Sequence, residues 1–236
     1  MAIKGVLFDK DGTLIDVTGT WVPAYKQLLA EVFADRSPNE IEAKFMAAGY
    51  DPVTGAFRAG SVLAQGTTRD IIGIWWPELD APGIAQKMKL LDVDYRDLGV
   101  KHLKPLMPLR PVLQELHALK LRLGVATNDT ATSAVLHMRA LDAADLFDII
   151  LGADSVARPK PSGDMIHAFA DAIGIGASEV AMVGDNPHVM ETAHDAGAGL
   201  AIGVLSGNSA HDHLAPLADH VIDSISELPA LLRKLG

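Results

Sequence analysis

Ile3-Lys4-Gly5-Val6-Leu7-Phe8-Asp9-Lys10-Asp11-Gly12-Thr13 is the stretch whose reading decides the fold. Residues 3–8 are mainly apolar, β-branched and aromatic, the composition of a buried strand. Asp9 and Asp11 stand at its carboxyl end, two residues apart and so on the same side of an extended chain. Gly12 then lets the chain turn sharply. In an open α/β sheet, the crevice beyond the strand ends is where ligands bind. Two anions held together there repel each other, which packing does not explain, and a bound cation is the simplest compensation. An isolated Asp-Gly is usually only a turn. The position after a buried strand and the DxDGT spacing count against that reading here.

Working outward, the chain divides into three parts. After the opening strand and loop, residues 17–107 show helical periodicity rather than strand signals. Helices are expected over 21–33 with Pro23 near the start, 41–48, 68–76 with Pro77 as a stop, and 86–96. Pro82-Gly83 is expected to mark a turn. From Leu109 onward, helices and strands alternate. Helices are expected over 109–120, 130–141, 162–173, 188–196 and 225–235. Strands are expected over 122–126, 147–151, 180–183, 200–203 and 220–222. Such alternation implies a doubly wound parallel sheet, an α/β fold with a Rossmann-like core, which the opening strand joins. The expected organisation is a core of residues 1–16 and 108–236, with 17–107 inserted as an α-helical cap. No internal repeat or low-complexity segment appears.

Composition narrows the function. The 236 residues are 49% hydrophobic, enough for a real core, and no apolar run approaches the length of a membrane span. There is no cysteine, so disulfides, thiolate metal sites and cysteine nucleophiles are excluded. With no cleavable leader at the N-terminus, a cytoplasmic protein is expected. A net charge of −10 without a basic run argues against nucleic acid and leaves a small metabolite as the expected partner.

Four groups of residues fall at the ends of core strands or in the loops after them. They are Asp9 and Asp11, Thr127-Asn128, Lys160 between two prolines, and Gly184-Asp185-Asn186. A parallel sheet brings these loops to one edge. Together they supply carboxylates, a hydroxyl, an amide and an ammonium, a set that suits a metal and a phosphoryl group. Singly, each has a plainer reading: helix capping for Thr127, Asn128 or Asp129, an exposed loop lysine, a strand-to-helix turn. Order and shared location favour the site. His211-Asp212-His213 reads as a solvated loop and helix start, Trp75-Trp76 as core of the insertion, and Arg58, Arg69 and Lys101 as exposed charge.

This constellation resembles the haloacid dehalogenase-like hydrolase superfamily over the whole chain. The quoted motifs are DxDGT at Asp9–Thr13, Thr127 ending an apolar strand, Lys160, and the GD loop at Gly184-Asp185. LFDKDGTL with Ile15-Asp16 is most similar to its phosphoglycolate-phosphatase-like branch. The resemblance implies a phosphatase in which Asp9 attacks phosphorus and forms an aspartyl-phosphate, and Asp11 acts as acid and then base. Lys160 neutralises developing charge, and Mg²⁺ is held by Asp9, the backbone carbonyl of Asp11, and Asp185. Gly12, Thr13, Thr127, Asn128 and Lys160 are the implied substrate contacts. The aspartate at position 11 favours a phosphate ester, such as 2-phosphoglycolate, over dehalogenation. A phosphosugar mutase, or a catalytically weak phospho-ligand-binding protein, is the alternative.

One position departs from the pattern. Relatives often read GDxxxD, and the second aspartate is replaced by Val189. Glu191, two residues on, is about 200° round a helix from position 189 and a poor substitute. The expectation is that one outer metal contact is lost and that Val189 lies at a loop-to-helix junction near the metal.

Overall fold

The computed structural model describes residues 2–236. Chain order begins with β1 (Gly5–Phe8) and enters a compact insertion, Val17–Lys104, before returning to a second unit made of the N-terminal segment and Pro105–Gly236. The return falls at Pro105 rather than at residue 108. Pro105 bridges Ile15, and the Leu106 amide donates to the Leu14 carbonyl at 3.4 Å, so these residues close the core rather than end the insertion.

The insertion contains α1 (Val17–Val32), α2 (Pro38–Ala48), β2 (Tyr50–Asp51), β3 (Ala56–Phe57), α3 (Val62–Gln65), α4 (Thr68–Trp75) and α5 (Ala81–Lys101). Its interior is aromatic: Trp21, Tyr25, Phe45, Tyr50, Phe57, Trp75 and Tyr95 are all buried in one cluster. Ser37 and Thr67 open α2 and α4 with capping boxes to Glu40 and Asp70, which satisfy amides the helices leave orphaned. Three local expectations are corrected. Pro82-Gly83 is no turn, because Asp80 caps α5 and Pro82 sits in its first turn, where a missing N–H costs nothing. Pro23 lies inside α1, since the helix starts at Val17. An antiparallel pair, β2 with β3, interrupts the helices; at two residues each, the strands are too short for alternation to be read.

The core unit continues with α6 (Leu109–Ala118), β4 (Arg122–Ala126), α7 (Ala131–Ala140), β5 (Ile149–Leu151), α8 (Asp164–Ile173), β6 (Val180–Gly184), α9 (Pro187–Ala196), β7 (Leu200–Val204), α10 (His211–Leu214), β8 (His220–Ile222) and α11 (Leu228–Leu235). Six parallel strands run in the order β5-β4-β1-β6-β7-β8. Central β1 pairs on both edges, with Phe8 level with Val125 and Val183. The central strands β1 and β6 bury both faces, which explains their near-continuous apolar runs. Phe169 of α8 presses on the sheet so closely that a Cβ at Gly5 or Gly124 would lie 2.8 Å from its ring. Because β1 has neighbours reached from opposite directions, the carboxyl ends of β4, β1 and β6 form the switch point where such sheets bind ligands. Among the described residues no helix is long and apolar enough to cross a membrane.

Candidate active site

The β1 ladder continues into Asp9, whose amide donates to the Val183 carbonyl at 2.8 Å. The buried Asp9 carboxylate receives on Oδ1 the Lys160 ammonium at 2.6 Å and the Lys10 amide at 2.7 Å. Burial pushes its pKa above the usual carboxylate range; the Lys160 charge opposes this and Asp11 adds to it. The chain then folds back, with the Leu14 and Ile15 amides both donating to the Lys10 carbonyl. Gly12 sits in this turn at φ 80°, and a methyl group there would also collide with the Asp185 carboxylate. DxDGT thus requires glycine for two reasons, backbone conformation and proximity of the fourth motif. Thr13, an expected substrate contact, is wholly enclosed, and its hydroxyl has no hydrogen-bond partner among the described residues. Its side chain does not open onto the crevice.

Thr127 follows β4 and is buried; its hydroxyl lies 3.4 Å from Asp11 Oδ2 and accepts the Asp129 amide at 3.1 Å. The helix after it is capped by Thr130, so capping is not what Thr127 and Asn128 do. The side chain of Asn128, expected at the substrate, is engaged with the Lys160 backbone. Its Oδ1 accepts the Lys160 amide and its Nδ2 donates to the Lys160 carbonyl, both at 3.1 Å. Both ends of the amide hold the lysine loop in place. Lys160, a loop residue in the sequence, is consequently one of the most enclosed side chains of the molecule, with its ammonium on Asp9.

Asp185 ends β6. Its Oδ1 accepts Asn186 Nδ2 at 2.9 Å and its Oδ2 accepts the Asn208 amide at 3.0 Å. Burial, with the Asp9 charge second, pushes its pKa up to about 7. Gly207 is also required here, since a Cβ would overlap the same carboxylate. Val189 stands in the first turn of α9, at the expected loop-to-helix junction. Its side chain is wholly buried in the apolar cluster with Met182 and Met165, and a Cβ on Gly184 would lie 2.5 Å from it. Its side chain fills the space over Gly184, so the position serves packing.

These loops gather the carboxylates, the ammonium and the hydroxyl at one edge of the sheet. A family model described as haloacid dehalogenase-like hydrolase matches residues 3–197. The chain belongs to this family. Among its sequence relatives, the phosphoglycolate phosphatase of Shigella boydii is 29% identical, covering 97% of this chain and 92% of its own. That of Neisseria meningitidis is 28% identical, covering 87% and 81%. In fold, the chain superposes on a β-phosphoglucomutase from Clostridium difficile with a TM-score of 0.68 at 16% identity, covering 96% and 93%. By its family and its phosphoglycolate phosphatase relatives, this chain is a phosphoric monoester hydrolase.

Two parts of this hydrolase's site escaped sequence reasoning. One is the loop after β7: Ser206 donates to the Gly12 carbonyl at 2.8 Å, and Ser209 to Asn186 Oδ1 at 3.2 Å. This loop carries no motif in the sequence, although the next strand end along the same sheet edge has to lie beside the fourth motif. The other is a buried group around Lys10, the middle residue of DxDGT. Lys10 lies with Asp129 and His137, residues whose types and spacing carry no motif.

Proposed function

We propose that this hydrolase cleaves a small anionic phosphate ester, 2-phosphoglycolate first among them, through an aspartyl-phosphate on Asp9 and with Mg²⁺. The observation that carries the reading is the hold on Asp9. Lys10 N and Lys160 Nζ fasten Oδ1, while Oδ2 accepts no hydrogen bond among the described residues and is the oxygen able to attack. Asp11 stands two residues on, with Thr127 between it and the phosphate-side loop.

The donor set fits a divalent cation. Two enclosed carboxylates, Asp9 and Asp185, disfavour ionising together: burial first, and the Asp9 charge second, push the Asp185 pKa up to about 7. Among the described residues no group of three acidic or histidine side chains is arranged to hold a metal ion. The protein would therefore offer these two carboxylates and the Asp11 carbonyl, a small oxygen set that leaves room for water and suits Mg²⁺. Bound there, the ion would neutralise the phosphoryl oxygens and keep both carboxylates ionised at neutral pH. Lys160 balances the same charge from the other side of Asp9, and Thr127 with its neighbouring amides holds phosphoryl oxygens. Asp11 gives its proton to the departing alcohol oxygen and later takes one from the attacking water. A cytoplasmic location goes with this reading, on the cysteine-free composition.

The test is phosphate release from a panel of small phosphorylated metabolites, with Mg²⁺ and with chelator. Preferred turnover of 2-phosphoglycolate, abolished by chelation, is the expected result. Equal turnover in chelator removes the metal, and preference for a sugar phosphate removes the substrate.

A further inference from the structure

The side chain of Lys10 takes no part in the chemistry assigned above, yet it is among the largest wholly buried side chains of the molecule. Its ammonium lies 3.1 Å from Asp11 Oδ2 and 3.3 Å from Oδ1. It lies 3.0 Å from Asp129 Oδ2 and 3.2 Å from His137 Nδ1. Asp129 is itself fixed, accepting the Thr130 amide on Oδ1 at 2.6 Å and donating its own amide to Thr127. His137 is equally enclosed on α7. Enclosing an ammonium and its partners is expensive unless every member is well paired, and an apolar side chain of similar volume fills such space at least as stably. Packing therefore gives no reason for a lysine.

Geometry supplies one. Asp11 is at the edge of this cluster, with its side chain 20% exposed, whereas Lys10 is sealed. A carboxylate at a rim rotates about two torsions unless something holds it. Here the Lys10 ammonium reaches both of its oxygens, and the Thr127 hydroxyl approaches Oδ2. The lysine is anchored in turn to the loop that carries Thr127. One ammonium thus couples the acid–base carboxylate of the first motif to the phosphate-side loop of the second.

We propose that Lys10, braced by Asp129 and His137, is a positioning residue that orients the Asp11 carboxyl for proton delivery to the leaving oxygen. The inference rests on the reading of Asp11 given above. In the step concerned, a bond forms between Asp9 Oδ2 and phosphorus and the bond from phosphorus to the ester oxygen breaks. The Asp11 proton passes to that oxygen, so the product alcohol leaves neutral. Proton delivery matters in proportion to the basicity of the leaving group.

The experiment compares kcat/KM for 4-nitrophenyl phosphate, whose leaving group needs little protonation, with that for 2-phosphoglycolate, or the alkyl ester that displaces it in the panel. For Lys10→Met, the alkyl ester should lose about 100-fold, carried by kcat with KM little changed, and the nitrophenyl ester less than about fivefold. The variant leaves Asp129 without its ammonium. Lys10→Met/Asp129→Asn removes both charges and should show the same disparity in a protein spared an unpaired buried anion. Asp11→Asn provides the reference pattern, larger in size and with the same order of substrates. Equal losses on both esters in either variant, or no loss, would make Lys10 a structural brace and overturn the proposal. If the parent protein hydrolyses neither ester, the phosphatase reading falls and takes the proposal with it; a parent active on both, with variants that lose equally, overturns the proposal alone.

Discussion

The two units of this chain bury different things. In the insertion, tyrosine and tryptophan aside, Thr20 is the one buried polar residue among those described, and it uses its hydroxyl to accept the Lys104 amide at 3.0 Å, tying the two chain crossings together. Its core is a set of aromatic rings in edge and stacked contact around Tyr25, such as Trp75 at 5.7 Å and Trp21 at 5.4 Å between centroids. The α/β unit has an apolar core too, but at the carboxyl ends of its strands it encloses Asp9, Lys10, Asp129, His137, Lys160, Asp185 and His188. Enclosed charge is an inefficient route to stability. Its concentration at one sheet edge marks the place where stability has been traded for chemistry, whereas the insertion is built as an ordinary small core.

The largest effect that separates the two regions is on turnover. Asp9→Asn should abolish phosphate release, a loss beyond about 10⁴-fold or roughly 5 kcal/mol of barrier. The protein should stay folded, since the amide oxygen can still accept the Lys160 ammonium and the Lys10 amide. Rates and melting curves on one clean preparation check this, and near-parent turnover would remove Asp9 as nucleophile.

In the insertion the same size of effect should appear as stability instead. Trp75 is wholly buried, and Trp75→Ala should destabilise by about 3 to 5 kcal/mol. Denaturant unfolding measures it; a change below about 1 kcal/mol would mean the aromatic cluster repacks around the gap.

Val189→Asp crosses the two regimes, placing a carboxylate at a position that belongs to the apolar part of the core. With Val189 enclosed against Gly184, the substitution should cost on the order of 3 kcal/mol and leave the Mg²⁺ concentration for half-maximal activity unchanged. A lower Mg²⁺ requirement with an unchanged melting temperature would instead restore the family's missing ligand and contradict the packing reading.

The smallest effect concerns pH. Burial, with the Lys10 charge second, lowers the His137 pKa from 6.5 to about 4. A histidine depressed in the folded state contributes stability that is present above its unfolded pKa and is lost as pH falls from 6.5 through about 4. Asp185 acts with the opposite sign. Its raised pKa contributes stability below its unfolded value of 3.8, lost as pH rises through about 7. His137→Asn keeps an acceptor near Lys10 and removes the first slope only. Compared with the parent, its stability should fall less between pH 7 and pH 4, by up to roughly 3 kcal/mol. Urea titrations at the two pH values decide this, and parallel changes in both proteins would mean that His137 is protonated in the fold.

How much of this could be read from the chain differs by kind of feature. The parallel sheet was legible because strands buried on both faces leave continuous apolar runs, as at Val6-Leu7-Phe8 and Val180–Val183, and β8 falls on His220–Ile222 as expected. Asp9, Asp11, Lys160 and Asp185 were legible because each lies at a strand end or in a loop after one, and a parallel sheet gathers those ends whatever the details. Helix starts were less so: α5 begins ahead of Pro82-Gly83, a pair that reads equally as a turn or as a first helical turn until Asp80 is seen to cap it. The short pair β2–β3 carries no periodic signal at all.

The sequence by itself determined which strand ends carry chemistry, because local composition selects the strands and strand direction selects the edge. Tertiary structure alone decided what each polar group does there. Asn128 could be a ligand contact or a clamp until its two hydrogen bonds to the Lys160 backbone are seen. Val189 could be a lost metal contact until it is found against Gly184, and Lys10 an exposed spacer until it is found enclosed between Asp11 and Asp129. The physical reason is range. Pairing joins residues far apart in the chain, Asn128 with Lys160 across 32 positions and Lys10 with Asp129 across 119, and such a partner leaves no trace in the neighbouring sequence.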